Sequence, residues 1–243
     1  PENEVLIKVA YDGLIYKDAL SASGHKGITR HFPHTPGVDA AGEVVESESS
    51  QFTVGQKVIV TSYDLGMNTK GGFAEYIRVP AEWVVPLPDG LSLQDSMVMG
   101  TAAFTAALAV EKMERIGQRP EKGEVVVTGA SGGVGSMAVA ILAKKGYRVI
   151  ASSGKHDQYS SQWAGGTDTV GGNTLHTLII SCSKEGSVAV CGLVGSHELG
   201  MTVNPLILNG VNILGIDSAE TPSAQRKMIW SKLADEYKPE SLS

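Results

Sequence analysis

Four glycines, Gly129, Gly132, Gly133 and Gly135, fall within seven residues directly after Val125-Val126-Val127-Thr128. A short β-branched run of this kind reads as a buried parallel strand. Met137 to Leu142 then run as small and apolar residues without Pro or Gly, which reads as a buried helix. Glycines at such a turn let the backbone approach a pyrophosphate, and the free N–H groups at the helix start face its negative charge. A tight structural turn would show the same glycines, so the strand–helix context is what favours a dinucleotide site.

The stretch after that helix bears on which nucleotide. An NAD site places an acid about 20 residues beyond the glycine turn, on the ribose 2′-hydroxyl. Ile150 to Lys155 contain no acid and offer Ser152, Ser153, the Gly154 backbone and the Lys155 cation. Hydroxyl donors, a bare N–H and a positive charge suit a 2′-phosphate, which favours NADPH over NADH. A solvated loop with an ordinary surface lysine is the plainer alternative.

These groups need a frame. Val5 to Tyr11, Val38 to Val45, Lys57 to Thr61 and Glu75 to Val79 read as strands punctuated by Pro36-Gly37, Val54-Gly55 and Gly71-Gly72, in the manner of a small β-barrel. Ile15 to Leu20 suit a short helical turn, and Pro80, Pro86, Pro88 and Asp89-Gly90 a stiff boundary. Gly100 to Val110 is a helix in small residues, which suits helix packing better than a flat ligand. Further strands are expected at Thr167 to Val170, Ser187 to Cys191 and Val211 to Ile216, with helices at Thr174 to Cys182 and Pro222 to Tyr237.

Bulk properties exclude several classes. With 243 residues, 42% hydrophobic and 19% charged, the chain suits one large or two small globular domains. A net charge of −6 gives no electrostatic reason to expect nucleic acid or an anionic membrane. No apolar run reaches the ~18 residues of a membrane span. Two cysteines, Cys182 and Cys191, make a disulfide framework unlikely to be the scaffold and suggest a buried pair in a reducing cytoplasm. Pro1 to Glu4 lack a basic signal-peptide region, and the missing Met suggests sequence ahead of Pro1.

The order of these parts resembles the medium-chain dehydrogenase/reductase superfamily. Pro36-Gly-Val-Asp-Ala-Ala-Gly-Glu-Val-Val45, Val54-Gly-Gln-Lys-Val58 and Gly71-Gly-Phe-Ala-Glu-Tyr76 are similar to landmarks of its first domain. Tyr16-Lys-Asp18, Gly100-Thr101-Ala102, Thr128 to Gly135, Asp168 to Gly172, Cys191-Gly-Leu193 and Gly215-Ile-Asp-Ser218 resemble one branch, the zinc-free quinone oxidoreductase-like enzymes that include acryloyl-coenzyme A reductases. The resemblance implies an α/β fold: a GroES-like, β-barrel-rich catalytic domain over residues 1–96, a Rossmann-type doubly wound parallel sheet over 97–217, and a truncated segment, 218–243, returning to the first domain.

It also implies roles. Hydride would pass from NADPH to an activated C=C, as in an enoyl thioester, or to a quinone. Ser131, Gly132, Gly133 and Val134 would hold the pyrophosphate, and Ser153, Gly154 and Lys155 the 2′-phosphate. Tyr16, Leu193 and Ser218 would lie on the nicotinamide side. Tyr16 would orient the cofactor or donate to a developing enolate, although core packing explains a tyrosine as well. Asp18 could hold Lys17 or Tyr16, or act as an acid, and an ordinary turn salt bridge accounts for it too. Thr101 could touch the nicotinamide or substrate, with helix capping as the competing role. Relatives carry Asn where this chain has Ile15, which removes an amide near the cofactor.

Zinc relatives have a His ligand where Val38 stands, and His25, His31 and His34 have no common ligand spacing. No metal is therefore expected. A homodimer acting on a small-molecule acceptor is implied, without nucleic acid or membrane. A short-chain dehydrogenase would open with the glycine motif and need Tyr-x-x-x-Lys, which none of the seven tyrosines supplies. A non-catalytic NADPH-binding sensor or scaffold is the remaining alternative.

One length is anomalous. Thirteen residues separate Ser153 from Thr167, too few for a helix, a third strand and a return. Either two pieces are joined there across absent residues, with flanking Cα atoms much farther apart than ~3.8 Å, or a true deletion trims the sheet. The family's first strand before Pro1 and its last strands after Ser243 also have no counterpart.

Lys155→Glu should weaken NADPH binding far more than NADH binding in parallel titrations. Equal losses would remove the 2′-phosphate assignment.

Overall fold

Alternation of apolar and polar residues builds the first sheet. In β1 (Glu4–Tyr11), Val5 and Ile7 are buried while Lys8 is exposed. The computed structural model describes residues 3–154 and 162–240. After β1 come α1 (Tyr16–Ala22), β2 (Asp39–Ser47), β3 (Lys57–Thr61), β4 (Tyr76–Pro80) and β5 (Val84–Pro86). The strands pair antiparallel in the order β4-β1-β2-β3-β5. Register shifts in β1 bend the sheet around a core that includes Val5, Ile7, Val44, Phe52, Val60, Leu65 and Ile77.

α2 (Leu93–Arg115) is longer than the sequence suggested and is broken at Gly100, whose φ of 49° and ψ of −155° are not helical. The break frees the Thr101 N–H, which donates to the Asp39 carboxylate at 2.8 Å. A buried acid at the start of β2 thus caps the second half of α2. By length and composition α2 could cross a membrane, contrary to the sequence expectation. Most of it lies inside the protein, however, with Ala103, Phe104, Ala106, Ala107 and Leu108 all buried, so it is a core helix.

The chain passes to a second compact unit within α2, after Phe104. That unit contains β6 (Val125–Thr128), α3 (Gly133–Lys144), β7 (Val149–Ser152), β8 (Trp163–Asp168), α4 (Gly172–Ile180), β9 (Cys182–Val190), α5 (Asn204–Leu208) and β10 (Asn212–Gly215). Its strands are parallel, ordered β10-β9-β8-β6-β7. Strand order reverses between β6 and β8, the place where open α/β sheets bind ligands. β7 is an edge, and among the described residues no strand lies beyond it. Of the short connection between Ser153 and Thr167, residues 155–161 lie outside the described residues.

Two boundaries differ from expectation. β8 starts at Trp163 and ends at Asp168, because Gly165 and Gly166 sit where a side chain would run into the Ser187 and Val126 carbonyls of neighbouring strands. Cys182 opens β9 and does not end α4. Cys182 is buried but Cys191 is part-exposed, so they are not a buried pair. Burial pushes both thiols up to about 12, which leaves neither as a thiolate at neutral pH.

α6 (Ser223–Ala234) belongs to the first unit. Ile229, Trp230 and Leu233 of α6 are buried. Arg226, also buried, donates to the Thr61 carbonyl and hydroxyl and to the Ser218 and Ala219 carbonyls. Its guanidinium lies between the Tyr63 and Phe104 rings, 4.2 and 4.8 Å from their centroids.

Gly100→Ala should destabilise the protein by about 2 kcal/mol in urea unfolding, because a Cβ there adopts a strained φ and stands 2.6 Å from the Asp39 carboxylate. A loss below about 0.5 kcal/mol would show that the break in α2 is not held by that contact.

Candidate functional site

The second unit supplies a cradle for an anion. β6 leaves the sheet through Gly129, at φ +60°, where a Cβ would collide with the Thr169 hydroxyl. That hydroxyl donates to the Thr128 carbonyl at 2.9 Å, while the Thr128 hydroxyl donates to Asp168 at 2.7 Å. The two strand exits at the switch point are thereby stitched together. α3 begins one turn later, with Gly132 as its N-cap. A Cβ on Gly135 would overlap the Gly129 carbonyl oxygen, so only glycine lets the helix start this close to the strand.

The first-turn N–H groups of Gly133, Val134 and Gly135 have no partner within the helix. The glycine N-cap has no side chain to occupy them. Ser131, Gly132 and Gly133 are exposed. An open, positively polarised helix start at a switch point fits a dinucleotide pyrophosphate. Ser153 and Gly154 leave the adjacent β7 exposed, and the Ala130 N–H donates to the Ser152 carbonyl at 3.0 Å, tying this exit to the cradle. Lys155 lies outside the described residues. Leu193, 66% exposed, follows β9 in a loop that closes on the β8 exit, with the Gly195 N–H donating to the Val170 carbonyl.

In the first unit, Tyr16 is 68% exposed, so its ring is not core packing. It is the first residue of α1, whose N-cap is Ile15. Asp18 accepts from the N–H groups of Ile15 at 2.8 Å, Gly37 at 3.1 Å and Val38 at 3.0 Å, and is fully buried. Of the roles expected for Asp18, these bonds favour holding Tyr16 in place. Asp18 is the anchor that holds the start of α1, and with it Tyr16, against the loop before β2. Ile15, the N-cap, has no side-chain acceptor for this helix start.

Thr101 is also more structural than expected. Its hydroxyl donates to Asp39 and lies 2.9 Å from the Ser62 hydroxyl. Ser62 and Tyr63 both hold positive φ, 60° and 50°, a strained pair of non-glycine residues at the β3 exit. Ser218 joins this network through its carbonyl, which accepts from Arg226. Asp18 and Tyr16 are thus brought together, as are Thr101 and Ser218 around Asp39, Thr61 and Arg226.

Sequence reasoning missed Asp12, Asp39 and Arg226. Both Asp12 oxygens are buried without a hydrogen-bond partner. Burial, then the charges of Asp18 and Asp39, push its carboxyl up to about 8. Burial raises Asp39 to about 6 against the opposing Thr101 hydrogen bonds. The signal for Asp39 was its place in the Pro36-to-Val45 motif; Asp12, in an ordinary Asp-Gly turn, offered none. Among the described residues no three His, Cys, Asp or Glu side chains are grouped to hold a metal.

Comparison with known proteins agrees with this architecture. Residues 1–89 match the alcohol dehydrogenase GroES-like domain. YhfP of Bacillus subtilis (strain 168), provisionally named a quinone oxidoreductase, is 45% identical over 268 aligned residues covering 100% of this chain and 81% of that protein. Acrylyl-CoA reductase AcuI of Ruegeria pomeroyi is 39% identical, again covering 100% and 81%. The Salmonella enterica yhdH oxidoreductase solved with NADP has a TM-score of 0.92 at 42% identity, covering 100% of this chain and 82% of that one. B. subtilis yhfP solved with NAD gives 0.94 at 44%, with the same coverage.

A GroES-like unit joined to a Rossmann-type unit defines a nucleotide-dependent oxidoreductase. The chain belongs to the medium-chain dehydrogenase/reductase superfamily, in the branch of quinone oxidoreductases and acrylyl-CoA reductases. The alignments are longer than the chain's 243 residues, so these relatives carry internal sequence with no counterpart here. The short-chain dehydrogenase alternative is set aside.

Two variants test this geometry. Ile15→Asn should add about 1 kcal/mol in chemical denaturation by capping α1; no gain would mean that the α1 start is already satisfied. Asp12 concerns pH. An unfolded Asp loses its proton near pH 4, whereas the folded one keeps it to about 8. The folded state therefore binds more protons between those values, and stability falls as pH rises through about 8. Asp12→Asn should flatten the decline in urea stability between about pH 5 and about pH 8; an unchanged slope would contradict the raised carboxyl.

Proposed function

We propose that this chain is an NADPH-dependent, zinc-independent reductase that reduces an activated C=C, as in an acrylyl-CoA-like enoyl thioester, or a quinone. The observation that carries this reading is the exposed, glycine-capped start of α3 at the sheet's switch point. Relatives solved with NADP and with NAD support a nicotinamide dinucleotide there. The acid-free β7 exit supports the phosphorylated form.

In this reading the second unit binds cofactor and the first supplies the acceptor-side groups. Ser131, Gly132, Gly133 and Val134 hold the pyrophosphate; Ser153, Gly154 and Lys155 hold the 2′-phosphate; Leu193 and Ser218 border the nicotinamide. When bound, NADPH supplies the hydride. Tyr16 presents its hydroxyl to the acceptor oxygen as negative charge grows there, and the α-carbon then takes a proton from Tyr16 or solvent. Asp18 and Thr101 act as positioning residues, one fixing α1 and the other the Gly100 break. No metal is needed for carbonyl polarisation if the tyrosine donates, and Val38 replaces the zinc-family histidine.

A homodimer without nucleic-acid or membrane partners completes the reading. Among the described residues β10 is an edge of the sheet and carries the exposed Ile213, and Ile207 and Leu208 of α5 are exposed, a surface that a second copy can cover. The free thiols suit a reducing cytoplasm.

The test is NADPH consumption with acrylyl-CoA and with a quinone. Turnover on one of them is expected, and Tyr16→Phe should lower kcat at least about tenfold. Tight NADPH binding with no turnover on any acceptor would favour the sensor alternative.

A further inference from the structure

We propose that two loops of the first unit form a binding site for the adenosine-phosphate end of a coenzyme A thioester. This rests on the enoyl thioester reading and names the acceptor class within it. No acidic residue occurs between Asp18 and Asp39, although the chain as a whole is acidic at −6. That stretch carries the exposed Lys26, Arg30 and His31. A second loop brings the exposed Lys70.

Backbone geometry joins the two. The Arg30 N–H donates to the Asn68 side-chain oxygen at 3.4 Å, and the Gly71 N–H donates to the Thr35 carbonyl at 2.7 Å. His34 Nε2 lies 2.7 Å from the Ser21 hydroxyl and 3.3 Å from the Gly66 carbonyl, pinning one loop on the other. Asp64, at the root of the second loop, is engaged with Asn68 Nδ2 at 2.9 Å. Lys26, Arg30 and Lys70 make no side-chain hydrogen bond or ion pair among the described residues.

The first of these loops also carries an aromatic face. Phe32 is 55% exposed and rests edge-on against His34, with centroids 5.1 Å apart at 82°. Because His34 is itself pinned, the exposed face of Phe32 is held ready. Unpaired cations and an exposed ring suit a ligand with several phosphates and an adenine: the cations take the phosphates and the ring stacks on the base. A quinone has neither group. Coenzyme A has both, at the far end of a flexible arm from its thioester. α1, about 10 Å long by its seven residues, runs from Tyr16 to the first of these loops, so reacting group and anchor are placed apart along one element.

The experiment compares acrylyl-CoA with acrylyl-pantetheine, which has the same reacting group but no nucleotide. Wild-type KM should be at least about tenfold lower for the CoA ester, and this ratio should collapse towards one in Lys26→Glu/Arg30→Glu/Lys70→Glu and narrow in Phe32→Ala. Equal KM values in the wild type, or a ratio unchanged by the triple variant, would overturn the proposal. Calorimetric titration with free coenzyme A keeps the two readings distinguishable. Coenzyme A binding that the triple variant loses supports the loops even if no acceptor turns over; absence of binding to the wild type overturns them. A matching loss of NADPH affinity would assign the loops to the cofactor's adenosine phosphate, also against the proposal.

Discussion

The anion cradle depends on how closely a strand exit and a helix start approach at Gly129 and Gly135. Any side chain at Gly135 would overlap the Gly129 carbonyl, and one at Gly129 would strike Thr169. The Thr169 hydroxyl closes the turn by reaching back to Thr128. With backbone packed on backbone, the first turn of α3 stays open to solvent and keeps its N–H groups for a ligand. Asp168, buried beside it, is occupied by the Thr128 hydroxyl and the Gly171 N–H, so its acid contributes order rather than a competing charge at the cradle.

The first unit uses a different device, buried carboxylates bound to backbone N–H groups. Asp18 fixes α1 to the loop before β2, and Asp39 caps α2 where Gly100 breaks it. Neither is balanced by a directly bonded cation; Arg226 is bound to carbonyls and the Thr61 hydroxyl and stacked between rings. This arrangement has a cost, visible in Asp12, whose carboxyl is driven towards its neutral form by burial and then by the charges of Asp18 and Asp39. Rigid placement of Tyr16 and of the β3 exit is bought with that electrostatic tension.

Features with a local cause were legible in the sequence. The valine strand, glycine turn and apolar helix follow from period and turn chemistry, and β3 falls at the expected Lys57–Thr61. The family motifs extended this to both units. What could not be read had long-range causes. Gly165 and Gly166 have low strand propensity, yet lie in β8 because neighbouring carbonyls leave no room for larger residues. Thr101 looked like a contact residue because nothing nearby in sequence announces Asp39, 62 positions away, as its partner. Nothing in the sequence singles out Arg226, and only the fold sets it against Thr61 and between two rings.

The most direct measurement is the NADPH affinity of Gly132→Asp beside its thermal stability. Gly132 has φ −80° and ψ 167°, a conformation open to any residue, and aspartate is a favoured N-cap. The substitution should leave stability within about 0.5 kcal/mol of the wild type while placing a carboxylate at the seat of the pyrophosphate. NADPH affinity should fall on the order of a hundredfold with the fold intact. Unchanged affinity in a folded variant would contradict this, because the start of α3 would then not be where the cofactor's phosphates bind.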